Sequence, residues 1–167
     1  MELMKKNAVI SDCQLYRYSL AREWGEGDCI TFVMLNPSTA DSSIDDPTIR
    51  RCIGVAERHG AGSIKVVNLC AFRATDPSDM FTANDPVGPG NYTVVLRALE
   101  GVGKVIAAWG NDGSLIIRSN GNAAKIADAV KTSGKAFSLG PLTKQGQPWH
   151  PLYRSYEVEL LPFGAAP

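Results

Sequence analysis

Residues 32–41, FVMLNPSTAD, contain the end of an apolar predicted strand and the polar turn that follows it directly. The run Ile30–Leu35 is almost continuously apolar, which is typical of a strand covered on both faces in a parallel sheet. Further short runs rich in strand-forming residues follow at Ile64–Leu69, Val105–Ala108 and Ala136–Leu139. Together these runs predict the strands of one central sheet.

Helical signals lie between the predicted strands. Asp46-Pro47 is typical of a helix N-cap followed by the first helical residue. Apolar residues then recur at the spacing of one buried helix face, namely Ile49, Cys52, Ile53 and Ala56. Gly60 is expected to end this helix, and similar patterns predict helices over residues 91–100 and 122–132.

The alternation of strands and helices predicts an α/β fold, a three-layer α/β/α sandwich around a mostly parallel four-stranded sheet. Extra edge strands are expected from the terminal segments Gln14–Trp24 and Tyr156–Leu161. No internal repeat or linker interrupts the sequence, so residues 1–167 are expected to form a single domain with its core at about 16–163. The segment Arg73–Gly90 contains three prolines and is predicted to be a long, functional loop.

The overall composition argues against several classes of protein. The chain has 17 basic and 17 acidic residues, so no basic stripe suggests an extensive duplex-DNA groove. No apolar stretch approaches the roughly 20 residues of a membrane helix, and the first residues do not resemble a signal peptide. We therefore expect a cytoplasmic protein with no membrane partner.

Cysteine and histidine content argues against a metal centre. The four cysteines are far apart in sequence without a C-x-x-C pair, and the chain has only two histidines. Free, buried thiols fit this pattern better than a zinc site or a disulfide framework. We expect neither a bound metal nor a cofactor.

Polar side chains follow the carboxyl end of each predicted strand, which is where open parallel sheets bind ligands. The first strand ends in Asn-Pro-Ser-Thr, and the others run into equally polar turns. We expect these strand ends to line one shared pocket. The candidate residues are Asn36, Ser38, Thr39, Asp41, Arg50, Asn68, Phe72, Arg73, Thr75, Trp109, Gly110, Lys144 and His150.

Several candidates have a structural interpretation beside the functional one. Asn36 could form an Asx turn as readily as bind a ligand. Asn68 ends an apolar strand and needs partners, because burying an unpaired amide costs about 1–3 kcal/mol. Trp109 either packs against a loop or stacks on a base. His59 ends a helix, where the helix dipole favours it, so His150 is the histidine of functional interest.

Longer motifs resemble a known family. The segments MLNPSTAD, DDPTIRRC, VVNLCAFRATDP, DPVGPGN, AWG and HPLY resemble the bacterial and phage domain-of-unknown-function family numbered 1643. The Asn-Pro-Ser turn and the late His-Pro-Leu are more distantly similar to the first and last motifs of the uracil-DNA glycosylase superfamily. That similarity implies that Asn36 orients a water molecule and that His150 faces the departing base. Leu35 stands where the mismatch-specific branch has a smaller residue, and the second proline of its last motif is absent.

The first functional hypothesis is a nucleobase-handling enzyme that hydrolyses an N-glycosidic bond. Its partner would be a small-molecule nucleotide or nucleobase, or a single-stranded or flipped-base nucleic acid. Asn36 and His150 would be the catalytic residues.

Two alternatives remain open. One is a non-catalytic module for a free or modified nucleotide, whose phosphate would pair with basic side chains, namely Arg50, Arg73 and Lys144. The other is a metal-dependent phosphoryl hydrolase, in which Asp41, Asp45 and Asp46 would hold magnesium.

Overall fold

The computed structural model describes residues 3–164 and contains a seven-stranded mixed sheet. The strands are β1 (Lys5–Ile10), β2 (Arg17–Glu23), β3 (Asp28–Met34), β4 (Ala61–Asn68), β5 (Lys104–Ala107), β6 (Ala136–Leu139) and β7 (Leu160–Pro162). Their order across the sheet is β1-β2-β4-β3-β5-β6-β7. The pairs β4–β3, β3–β5 and β5–β6 are parallel, and the outer pairs are antiparallel.

The predicted α/β class is confirmed, although the sheet is larger than the four strands of the prediction. β2 lies within the segment Gln14–Trp24, and β7 overlaps the end of Tyr156–Leu161. β1 is not among the predicted strands, because its sequence KKNAVI has no regular alternation of apolar and polar residues. It becomes a strand by pairing with β2.

Five α-helices and one short 3-10 helix occur within residues 3–164. They are α1 (Pro47–Arg58), α2 (Pro77–Thr82), α3 (Asn91–Leu99), α4 (Gly110–Ser119), α5 (Gly121–Thr132) and the 3-10 helix Pro151–Tyr153. α1 begins as predicted, since Asp46 Oδ1 accepts a hydrogen bond from the Ile49 N–H at 2.9 Å. It also ends as predicted, because Gly60 adopts the left-handed conformation, with a φ of 76°, that follows many helices.

The sheet separates two hydrophobic clusters. Side chains alternate between the faces of a strand, so Phe32 and Met34 of β3 pack in one cluster and Val33 packs in the other. The first cluster contains the apolar face of α1, and the second contains buried residues of α3, α4 and α5. Helices therefore cover both faces of the sheet.

α2 lies inside the segment Arg73–Gly90, which the sequence predicts to be irregular. The Asp76 carboxylate accepts a hydrogen bond from the Ser78 N–H at 2.9 Å, and Pro77 is the first helical residue. This is the same Asp-Pro start that predicts α1. Here the later prolines obscure it.

α4 begins directly after β5, where Gly110 and Gly113 predict a turn instead of a helix. Gly113 meets a packing requirement. A Cβ at this position would lie 2.2 Å from Cδ1 of Trp109, so only glycine allows the helix to pass the tryptophan ring.

The structure bears on two expectations from composition. Among residues 3–164, no helix has the length and hydrophobicity needed to cross a bilayer. Cys52 and Cys70 are buried thiols as expected, whereas Cys13 is exposed and Cys29 is half-buried. Cys13 lies in the loop between β1 and β2, outside both hydrophobic clusters.

Candidate functional site

A large cavity opens at the carboxyl ends of the parallel strands. Its volume is about 620 Å³, which is within the usual range of small-molecule pockets. The turn after β3, the starts of α1 and α4, and the segment 143–153 form its walls. This position agrees with the rule that open α/β sheets bind ligands at this end.

Part of the predicted rim lies together on this cavity. The candidates that line it are Asn36, Ser38, Thr75, Trp109, Gly110 and His150. They follow four different strands, so the fold brings together the amide at position 36 and the imidazole at position 150.

The remaining candidates lie outside the cavity lining, and they are Thr39, Asp41, Arg50, Asn68, Phe72, Arg73 and Lys144. Asp41 closes a turn, where its Oδ1 accepts two backbone N–H groups, and these bonds lower the pKa of its carboxyl. Arg50 and Arg73 each donate to a backbone carbonyl of a neighbouring loop. These contacts correct the expectation that all the candidates share one pocket.

Asn68 is fully buried, and neither atom of its side-chain amide has a hydrogen-bond partner among the described residues. The Asn91 Nδ2 donates to the backbone carbonyl of Asn68 at 2.9 Å, but it does not reach the amide. Phe72 packs edge-to-face on a tyrosine at a centroid distance of 5.9 Å. Thr39 and Lys144 are exposed to solvent.

The Asn36 side chain is held in one orientation. Its Nδ2 donates to the carbonyl oxygens of Pro37 and Ala74 at 3.0 and 2.9 Å. Carbonyl oxygens only accept, so the nitrogen must face them and Oδ1 must point the other way. Oδ1 has no hydrogen-bond partner among residues 3–164. Asn36 therefore gives the cavity a fixed hydrogen-bond acceptor.

The His150 ring is held in a similar way. Its Nδ1 accepts a hydrogen bond from the Leu152 N–H at 3.2 Å, as the cap of the 3-10 helix. Burial lowers the pKa of His150, and the Asp46 carboxylate partly opposes that shift. Near pH 7 the ring is therefore neutral, and its proton must lie on Nε2 because Nδ1 is accepting. His150 thus offers the cavity a neutral N–H donor.

The aromatic residues divide into structural and accessible ones. Trp109 is 1% exposed, and its Nε1 donates to Gln147 at 3.0 Å. Its ring is therefore used in packing and does not form the expected stacking surface for a base. Tyr153 is 74% exposed at the cavity, and Trp149 is half-buried beside it, with their rings 6.4 Å apart. The Arg154 guanidinium lies 5.5 Å from the Trp149 ring centroid. Trp149 and Tyr153 are therefore the rings available to a planar ligand.

Arg17 lines the cavity and is not among the candidates from sequence. It is 2% exposed, and its Nη1 donates to the Ala40 carbonyl at 2.9 Å. Its Nε has no partner among the described residues. Burial lowers the pKa of Arg17 to about 10, against the opposing effect of Asp46, so the side chain stays cationic at neutral pH.

Other cavity residues differ in whether sequence could have revealed them. Trp149 and Tyr153 flank His150 in the chain and could have been grouped with it. Thr143 and Asn111 join the strand ends after β6 and β5 through a side-chain hydrogen bond of 2.7 Å. Arg17, by contrast, has no distinguishing motif around it.

Comparison with protein families supports the resemblance seen in the motifs. A family model described as a protein of unknown function, DUF1643, matches residues 17–152. The chain belongs to this family. The matched segment contains Arg17, Asn36 and His150, and it ends one residue before Tyr153. Searches of curated proteins and of solved structures find no match, so the likeness to uracil-DNA glycosylases still rests on the two short motifs.

Proposed function

We propose that the cavity binds the base of a nucleoside or nucleotide and hydrolyses the N-glycosidic bond that joins this base to its sugar. The observation that carries this proposal is the pair of fixed polar groups on one cavity, the Asn36 Oδ1 acceptor and the neutral His150 N–H donor. As the finer description of the α/β architecture we propose a fold of the uracil-DNA glycosylase type, which the two short motifs that contain Asn36 and His150 support.

Each group suits one part of the reaction. Water attacks the anomeric carbon as the carbon–nitrogen bond to the base breaks, and Asn36 Oδ1 would orient that water by accepting a hydrogen bond from it. The proton that the water loses passes to solvent, because an amide oxygen is too weak a base to take it. The departing base takes the bonding electrons and becomes negatively charged. A donor fixed where this charge develops stabilises the transition state, and His150 would supply it while keeping its proton.

The rest of the cavity suits a planar, polar ligand. Trp149 and Tyr153 offer aromatic faces, and base stacking on such faces contributes about 1–3 kcal/mol per base. The hydroxyl groups of Ser38 and Thr75 line the same space and would bind the edge of the base.

The proposal is tested by incubating the protein with nucleosides, nucleotides and oligonucleotides that contain uracil or other modified bases. Released base is measured by chromatography, and abasic sites by alkaline cleavage. We expect release by the wild type and a loss of about 100-fold or more in Asn36→Ala and His150→Ala. Thr39→Ala, exposed and outside the cavity, is the control. The absence of release from every substrate by folded protein would reject hydrolysis.

A non-catalytic nucleotide-binding module is the second candidate, and the cationic Arg17 on the cavity favours it. Stabilisation by a nucleotide without turnover would identify this function. A ligand at 100 times its dissociation constant adds about 2.7 kcal/mol to the free energy of unfolding.

A metal-dependent phosphoryl hydrolase has the least support. Asp45 is paired with Lys6 and Arg22 at 2.9 and 2.6 Å, and Asp46 caps α1. Within residues 3–164, no three histidine, cysteine or acidic side chains are grouped as metal ligands.

A further inference from the structure

We propose that Arg17 forms an anion-binding subsite in the cavity, and that it binds the phosphate group of a free nucleotide. The base-binding part of this statement rests on the proposed function above. The anion-binding part rests on the surroundings of Arg17 alone.

Arg17 uses little of its hydrogen-bonding capacity. Of its five N–H donors, the described residues accept from one, on Nη1. The side chain is nevertheless buried and lines the cavity. A buried donor without a partner costs about 1–3 kcal/mol, and a phosphate matches the planar fork of a guanidinium with two parallel hydrogen bonds.

Arg22 shows what a structural arginine looks like in the same strand. It is also fully buried, but its Nε pairs with Asp45 Oδ1 at 2.6 Å. Its Nη atoms donate to the backbone carbonyl oxygens of Asn7, Ala21, Asp41 and Ile44. Arg22 is therefore satisfied by the protein, whereas Arg17 keeps free donors beside a cavity.

Arg17 is also fixed in place before any ligand arrives. Its backbone N–H donates to the Ala71 carbonyl at 2.9 Å, and the Ala40 carbonyl holds Nη1. A group that is held in its binding geometry loses little conformational entropy when it binds.

The charges around Arg17 favour an anion. Asp46, Arg73 and Arg22 are the charged side chains that act on it, and Arg22 is balanced by Asp45. Asp46 makes no ion pair with Arg17 among the described contacts, and its Oδ1 accepts the Ile49 N–H. Among the groups that act on each other here, Arg17 and Arg73 carry two unbalanced positive charges against the one carboxylate of Asp46. Asp112 also lines the cavity, at the start of α4, and is not among the charged side chains that act on Arg17.

The test measures binding of four nucleosides and of their 5′-monophosphates to the full chain by calorimetry at constant ionic strength. Ribose 5-phosphate, inorganic phosphate and a short single-stranded oligonucleotide complete the series. We expect a monophosphate to bind about 10- to 100-fold more tightly than its nucleoside, the range for hydrogen bonds to a charged group.

Three variants separate charge recognition from folding. Arg17→Gln should abolish the preference for the monophosphate and leave nucleoside affinity unchanged. Arg17→Lys keeps the positive charge but loses the planar pair of donors, so it should retain part of the preference for the monophosphate. Asp46→Asn keeps a good helix cap and removes the opposing charge, so it should strengthen monophosphate binding severalfold. Arg118→Gln, exposed and outside the cavity, is the matched control, because Arg118 also donates to a backbone carbonyl oxygen, and it should change neither affinity.

The possible outcomes separate the two proposals. Equal affinity for nucleosides and monophosphates would overturn the subsite and leave the base site intact. Arg17-dependent binding of ribose 5-phosphate without any contribution from a base would keep the subsite and overturn the base site. Tighter, Arg17-dependent binding of the oligonucleotide would assign the phosphate to a nucleic-acid backbone and overturn the free nucleotide. Equal weakening of nucleosides and monophosphates in Arg17→Gln would show a purely structural arginine.

Discussion

Asn36 and His150 each use part of their hydrogen-bonding capacity on the backbone, and their remaining polar atoms determine what they can bind. Asn36 gives both amide hydrogens to carbonyl oxygens and keeps its own oxygen free. His150 uses Nδ1 as an acceptor and keeps the N–H on the other side of the ring. Neither side chain can turn without losing these hydrogen bonds, so their polarity towards a ligand is fixed in advance.

The lowered pKa of His150 predicts a specific pH dependence of stability. Below the ordinary histidine pKa of about 6.5, the unfolded chain binds the proton more readily than the folded one. The free energy of unfolding therefore decreases as the pH falls from about 6.5 towards the lowered folded pKa. His150→Asn keeps an acceptor for the Leu152 N–H but removes this titration, so its stability should fall less. Urea unfolding between pH 5 and 7.5 measures both curves.

The two proteins differ only at position 150, so every other residue contributes equally to both curves. Parallel curves for the wild type and His150→Asn would contradict the lowered pKa of His150.

Sequence identified those site residues whose positions follow from strand order. Asn36 and His150 were predictable because the carboxyl ends of parallel strands meet at one edge of a sheet. Asp41 and Arg73 lie only a few residues beyond strand ends, but their loops turn away through contacts that sequence does not reveal. Arg17 could not be predicted, because only its three-dimensional surroundings distinguish it from the arginine five positions later.

Among the larger elements, α1 fastens the segment that follows His150. The Tyr156 ring lies between the guanidinium groups of Arg51 and Arg58, at 4.4 and 4.9 Å from its centroid. Arg58 also pairs with Glu157 at 3.0 Å, and Arg51 donates to the Arg154 carbonyl. One helix therefore contributes its first turn to the cavity wall and also holds the segment that follows the 3-10 helix.

The packing of α4 predicts an unusual response to a helix-favouring substitution. Gly to Ala normally stabilises a helix interior by about 1 kcal/mol. In Gly113→Ala the new Cβ would lie 2.2 Å from Cδ1 of Trp109, whose Nε1 is held by Gln147. We expect overpacking to destabilise the protein by about 1–3 kcal/mol and to change tryptophan fluorescence. Thermal unfolding and emission spectra provide the measurement.

Gly121→Ala in α5 is the matched control, because no atom lies within 4 Å of its added Cβ. It should be neutral or mildly stabilising. If Gly113→Ala were as stable as this control, Trp109 would not be as tightly packed as described.

The helices differ in how well the sequence predicts them. α1 was predictable because its signals are local, from the Asp46-Pro47 start to the spacing of its buried face. α4 was not, because Gly113 is typical of a turn and its reason lies in the ring of Trp109. α2 was missed within Arg73–Gly90 because the later prolines outweighed a valid helix start.

At the scale of the whole molecule, both hydrophobic clusters share one sheet, so they should unfold together. Trp24 packs against one cluster and Trp109 belongs to the other. In a Trp24→Phe/Trp149→Phe variant and in a Trp109→Phe/Trp149→Phe variant, a single tryptophan reports on each side. In both variants the urea midpoint from fluorescence should equal the midpoint from far-ultraviolet circular dichroism. Separate midpoints would show two folding units instead of the expected single domain.

The outermost strands also bear on how the protein behaves at high concentration. β1 carries Lys5 and Lys6, which are paired with Glu23 and Asp45, and charged side chains on a margin of this kind resist the addition of a strand from another chain. β7 is three residues long and includes Pro162, which has no N–H to donate. β7 therefore offers few open backbone groups, and the lysines of β1 oppose the pairing of a further strand along its outer side, so both margins hinder fibrous aggregation of copies of this chain through their sheets.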